Sequence, residues 1–144
     1  MSESSVPVAF LFSIHADTVT IPPVMVLGGP QGSRMIASVA GGTFEGPKAK
    51  GIVLGGAGGD WVTLRDDGSF RLDVRITLQA DSGVVILCTY NGIGTSKPDG
   101  SMALRTAPTF EAPPGEYDWL NRIQAIAFGT VDGAGVHYEV YALE

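Results

Sequence analysis

Ser69-Phe70-Arg71-Leu72-Asp73-Val74-Arg75-Ile76-Thr77-Leu78-Gln79-Ala80 is the stretch that decides the fold. Its apolar residues fall at every second position: Phe70, Leu72, Val74, Ile76 and Leu78 turn one way, Arg71, Asp73, Arg75 and Thr77 the other. A period of two is the mark of a strand, because successive side chains leave a pleated backbone on opposite faces. Asp66-Asp67-Gly68 precedes it, and an Asp-Gly pair between apolar segments is a hairpin signal. Asp81-Ser82-Gly83 follows and turns the chain into Val84 to Tyr90, apolar on both faces as expected of a central strand.

Outward from this hairpin the same signals recur, while a 3.6-residue period is sustained almost nowhere. Ala9 to Ile14 and Thr18 to Ile21 read as an opening strand pair or one long bent strand. Met35 to Val39, Ala49 to Leu54 and Trp61 to Leu64 read as short strands. Asn91 to Ser101, rich in Gly, Ser and Asp, reads as a loop. Ala103 to Phe110 resumes as a strand that Pro108 interrupts, which implies an edge or a bulge. After the Ala112-Pro113-Pro114-Gly115 break, Glu116 to Leu120 suits a single helical turn. Asn121 to Gly129 and Val136 to Leu143 then close the chain as a hairpin. The expectation is an all-β chain: one closed antiparallel β-barrel of roughly eight to ten strands over residues 1–144, with residues 1–5 a flexible N-terminus. Closure removes the unpaired edges that so much strand would otherwise expose. A barrel of about eight strands has room for one small ligand in its interior or mouth.

Composition narrows the function classes. Nine Lys and Arg against fifteen Asp and Glu give a net charge of -6, with no basic run, so nucleic acid is not an expected partner. The acidic start, Met1-Ser2-Glu3-Ser4-Ser5, is unlike a secretory signal, and the apolar run from Val6 to Ile14 is too short to span a bilayer. These point to the cytoplasm and away from a membrane. Cys88 is alone, inside an apolar run, and reads as a buried small hydrophobe. His15 and His137 are the only histidines, without local ligand spacing, so no metal site is expected. Gly55-Gly56-Ala57-Gly58-Gly59 lacks the Gly-Lys-Ser/Thr ending of a phosphate loop, and Gly133-Ala134-Gly135 lacks the context of a dinucleotide fingerprint. No cofactor is expected.

The chemistry therefore rests on a few residues framed by glycine. Gly41-Gly42-Thr43-Phe44-Glu45-Gly46-Pro47 and Gly58-Gly59-Asp60-Trp61 read as two glycine-rich turns bracketing a short strand. Asp60 beside an indole suits a partly apolar pocket, where desolvation raises its pKa and fits it for proton transfer; equally, it could cap the turn while Trp61 fills the core. Asp73 and Arg75 share the polar face of their strand. If that face lines the lumen, they form a polar floor, with Arg75 for a carboxylate, enolate or phenolate; if it faces water, they are a solvated surface. Arg105 admits the same two readings. Asn121 could donate to a ligand carbonyl or close the preceding loop through backbone groups, with Trp119 on its own face. Tyr90 ends its strand as either a phenolic acid near the mouth or a core tyrosine.

Gly32-Ser33-Arg34, Gly41 to Pro47, Gly58-Gly59-Asp60-Trp61, Leu72-Asp73-Val74-Arg75 and Trp119-Leu120-Asn121-Arg122 occur in this order. The succession resembles the DUF3237 (UPF0311) family of small bacterial and fungal β-barrel proteins, over most of the chain from Phe10 onward. The resemblance implies a lipocalin-like or allene-oxide-cyclase-like barrel. It places a pocket near Arg34, Phe44, Asp60, Trp61, Arg75, Arg105, Trp119 and Asn121, and it carries no activity.

Together these readings lead to a cofactor-free enzyme that performs isomerisation, cyclisation or lyase chemistry on a small hydrophobic, oxygenated molecule by proton transfer next to a carbonyl. Asp60 would move the proton, Arg75 or Arg105 with Asn121 would hold the oxyanion, and Arg34, Phe44, Trp61, Asp73, Tyr90 and Trp119 would shape the site. The alternative is a non-catalytic, lipocalin-like carrier of the same ligand. The opening strand Ala9 to Ile14, apolar on both sides, offers a face for a homodimer.

Overall fold

The computed structural model describes residues 2–144, which form one antiparallel sheet of twelve strands. In chain order these are β1 (Val8–Asp17), β2 (Val24–Gly29), β3 (Gly32–Ser38), β4 (Gly41–Glu45), β5 (Lys50–Val53), β6 (Gly59–Leu64), β7 (Phe70–Ala80), β8 (Val85–Ser96), β9 (Met102–Thr106), β10 (Thr109–Glu111), β11 (Ala125–Asp132) and β12 (Gly135–Leu143). The hairpin read first from the sequence is the seam of the structure. β7 pairs with β8 from Phe70↔Gly94 to Gln79↔Val85, which joins the ends of the series β8-β9-β11-β12-β1-β4-β5-β7 into a ring of eight. The fold is the expected antiparallel barrel.

Two long strands each serve two neighbours along one edge. β7 pairs with β6 through its first half and with β5 through its last three residues, and β8 divides its far edge between β10 and β9. β6, β3 and β2 continue the sheet beyond the ring as a flap that ends on β2.

Several sequence expectations change here: Gly59 and Asp60 are strand in β6 rather than turn, and Asn121 and Arg122 lie before β11 rather than in it. Thr18 to Ile21 forms no strand. Val24–Gly29, not expected as an element, is β2. Asn91–Ser96 is not loop but the second half of β8, so Tyr90 lies in mid-strand. Gly41–Glu45 is not a turn but β4, hydrogen-bonded between β1 and β5. Its glycine content answers a close backbone approach: a Cβ on Gly42 would stand 2.0 Å from the His15 carbonyl oxygen.

The apolar set of β7 faces inward. Leu72, Val74, Ile76 and Leu78 are buried, whereas Arg71, Asp73 and Arg75 are exposed. One end of the barrel is packed shut by edge-to-face rings, Phe12 on Phe44 at 5.4 Å and on Phe110 at 5.7 Å. A short 3-10 helix, Asp118–Arg122, adds the fully buried Leu120 to the same hydrophobic core. Cys88, on the inward face of β8, is also fully buried, and desolvation pushes its thiol pKa up.

Candidate functional site

The other end of the barrel is hollow. Inward-facing residues of β3, β6 and β7 (Met35, Ala37, Asp60, Val62, Leu64, Phe70 and Leu72) meet Leu104 of β9, Val131 of β11 and Val136 of β12 around a cavity of about 280 Å³. The space exists because glycines occupy inward positions of the facing strands. A Cβ at Gly94 would lie 2.2 Å from the Phe70 ring that crosses it, and one at Gly129 would lie 2.5 Å from the ring of Tyr138. A side chain at either position would therefore displace an aromatic wall. The alternating Gly92-Ile93-Gly94, read in sequence as loop, is strand with one face left bare.

Among the described residues, Asp60 is the only ionisable side chain lining this cavity. Strand alternation on β6 turns it inward with Val62 and Leu64, between Ala37 of β3 and Val74 of β7. Its Oδ1 accepts the Asp73 backbone N–H at 3.0 Å, which fixes the carboxyl against β7. Burial raises its pKa from the usual 3.8 to about 6; the Asp73 hydrogen bond opposes the shift and the Asp73 charge adds to it. At neutral pH the carboxylate is the ionised form, close to equilibrium with the acid, in a wall otherwise made almost wholly of hydrocarbon.

One inward step deeper lie two phenols. Tyr90 stands opposite Val74 and Tyr138 opposite Gly129, with ring centroids 5.3 Å apart in an edge-to-face contact. Desolvation holds both phenol pKa values well above the usual 10, and the Asp60 charge contributes to both shifts. Both therefore stay protonated. Thr106, the next inward residue of β9 after Leu104, is buried with its hydroxyl oxygen unpartnered. Tyr138 and Thr106 escaped the sequence reading, because only the register of distant strands brings them beside Tyr90.

The remaining candidates do not gather here. Arg75 and Asp73 lie on the outer face of β7, since two charges turned inward would lack partners. Trp61 is on the outer face of β6, 44% exposed. Arg34 shares that face and bonds the Thr63 hydroxyl and Gln31. Arg105 points outward over the Phe128 ring at 4.9 Å and donates to the Leu104 carbonyl, beside a shallow groove of about 380 Å³ on the outer wall. Phe44 belongs to the packed end. There too, Asn121 accepts from Ala112 N–H at 2.7 Å and donates to its carbonyl at 2.9 Å, so it closes the loop through the backbone. Trp119 is half-buried near it, under the Lys48 ammonium. Asp60 is thus the sequence candidate that lines the lumen, and Tyr90 packs in the core one inward step below it.

On the outer face, His15 of β1 stacks on His137 of β12, their Nδ1 atoms 3.0 Å apart, and His137 Nε2 lies 3.0 Å from Asp132. Among the described residues no group of three or more His, Cys, Asp or Glu is placed to hold a metal, and no helix is long and apolar enough to cross a membrane.

Fold and cavity together define a small antiparallel β-barrel, sealed at one end and hollow at the other. The chain belongs to the DUF3237 family, proteins of unknown function, which it matches over residues 6–143. Among solved structures it is similar to a β-barrel-like protein from Acinetobacter baumannii, with 24% identity, a TM-score of 0.89 and 99% of each chain covered. It is also similar to a protein of unknown function from Rhodopseudomonas palustris, with 20% identity and a TM-score of 0.88 over 99% of this chain and 100% of that one. An enzyme from Penicillium herquei shares 24% identity and a TM-score of 0.72, over 100% of this chain and 99% of that one. No curated protein matches.

Proposed function

We propose that this protein is a cofactor-free enzyme that moves a proton on a small, hydrophobic, oxygenated molecule held in the barrel lumen. The observation that carries the reading is a single carboxyl, with its pKa raised to about 6, in an apolar cavity of about 280 Å³. A general acid–base group works best when its pKa lies near the operating pH, and burial has moved Asp60 there. Abstraction of a proton next to a carbonyl leaves charge on the carbonyl oxygen. Thr18 of the cavity lining and the protonated phenols of Tyr90 and Tyr138, packed one inward step deeper, are the hydroxyl groups available to that charge, in place of the outward-facing Arg75 and Arg105. Isomerisation, cyclisation and elimination all use this step. The cavity is at the small end of ligand sites, which favours a compact substrate.

A second reading, a carrier that binds without turnover, has one observation in its favour: Asp60 already accepts a backbone hydrogen bond, a role that needs no catalysis. Screening small cyclic ketones, enones, lactones and phenols, first by thermal shift and then for turnover, separates the two. For an enzyme, Asp60→Asn keeps binding within a few-fold and lowers turnover by about 100-fold or more, while Arg75→Ala changes neither. Ligands that bind wild type and Asp60→Asn alike, with no product from wild type, would establish the carrier.

A further inference from the structure

From Thr18 to Ser33 the chain carries no Asp, Glu, Lys or Arg, in a protein where 17% of residues are charged. Inside this neutral run lies β2, the last strand of the flap. Its second edge is unpaired, so a row of backbone N–H and C=O groups is open to another strand. At the sheet's other end, β10 has three residues and packs against the 3-10 helix, which leaves β2 as the long free edge among the described residues. Edge strands are ordinarily protected by lysine, proline or a covering loop, and Val24-Met25-Val26-Leu27 has none of these. Its side chains are 59%, 45%, 50% and 72% exposed, so neither face of the strand is covered.

We infer that β2 pairs antiparallel with β2 of a second copy of this chain about a two-fold axis, fusing the two flaps into one sheet. Charge selects the partner. Two molecules of net charge -6 repel each other, and a neutral patch is where they can approach. The patch holds no Lys or Arg to attract a lipid surface. A two-fold pairing is self-complementary, and this strand is apolar on both faces, so neither face is spoiled by contact. The pairing also reaches the lumen: Met25 stands opposite Met35, which lines the cavity, so a partner's β2 would sit beside its rim. Dimerisation itself does not rest on the chemistry proposed for Asp60.

Sedimentation and light scattering on the wild-type protein should give twice the 15.0 kDa chain mass. Val26→Lys and Leu27→Lys alter exposed side chains that the isolated fold tolerates. Each should weaken dimerisation by about 100-fold, because a lysine is then desolvated against the apolar side chains of the partner's strand with no carboxylate to pair with. Amide hydrogen exchange on wild type is the second measurement: residues 24–27 should be protected in the dimer and exchange quickly on dilution. A wild-type monomer at the highest soluble concentration would overturn the proposal. So would a dimer that survives both variants while the amides of residues 24–27 exchange freely.

Discussion

Asp60 is worth following through a titration. Its folded-state pKa of about 6 lies above the unfolded value of 3.8, so between these pH values the folded chain binds more protons than the unfolded one. Its contribution is thus most favourable below pH 4 and is lost as pH rises through 6; a shift of about two units corresponds to about 3 kcal/mol. Asn keeps an oxygen for the Asp73 N–H and cannot ionise. Asp60→Asn should therefore raise stability by about 2–3 kcal/mol at pH 8 and by much less at pH 4, as read from urea denaturation at both. Equal stability of the two proteins at pH 8 would mean the carboxylate is better solvated than its position in the cavity wall implies. Asp60 was legible as a candidate because glycines and an indole flank it in the sequence. Arg75, Arg105 and Asn121 were not separable from it. Each is polar within an apolar context, and only the direction of the strand face, or the Ala112 backbone in the case of Asn121, shows what each one serves.

Glycine carries two different meanings in these strands. Where an Asp-Gly pair closes a hairpin, as before β7, it supplies a turn, and such signals were readable. Where a glycine belongs to a strand, at the start of β4 or within β8 and β11, it makes room for something distant in sequence. Gly41–Glu45 and Asn91–Ser96 were misread for that reason: local composition says turn, and the partner that excludes a Cβ lies on another strand. Exposed β2 was missed because a short apolar run between Pro22-Pro23 and Gly28-Gly29 has no local mark of a strand that lies open to solvent. Substitution separates the two meanings. Gly129→Ala forces the Tyr138 ring and Leu104 aside and should cost about 1–3 kcal/mol, along with ligand binding. Gly133→Ala meets nothing within 4 Å and should stay within about 0.5 kcal/mol of wild type. Thermal denaturation of the two variants is the check.

At the scale of the whole molecule, the ring ties the chain's beginning to its end. β1 and β12 pair from Val8↔Leu143 to Ala16↔Val136, and the Glu144 N–H donates to the Pro7 carbonyl at 3.2 Å. Residues 7 and 144 are thus neighbours, and the order in which the strands are written along the chain is not what the barrel depends on. A circular permutant that joins them with a short linker and opens instead at the exposed Asp66-Asp67-Gly68 turn should fold to the same barrel. Native-like near-ultraviolet circular dichroism would confirm this, and an unfolded permutant would refute it. Such a rearrangement frees β6 and β7 from their shared hairpin and leaves the Asp60 wall to assemble from strands at opposite ends of the new chain. The cavity wall would then join the two ends of the new chain, and its opening could be followed apart from the packed end.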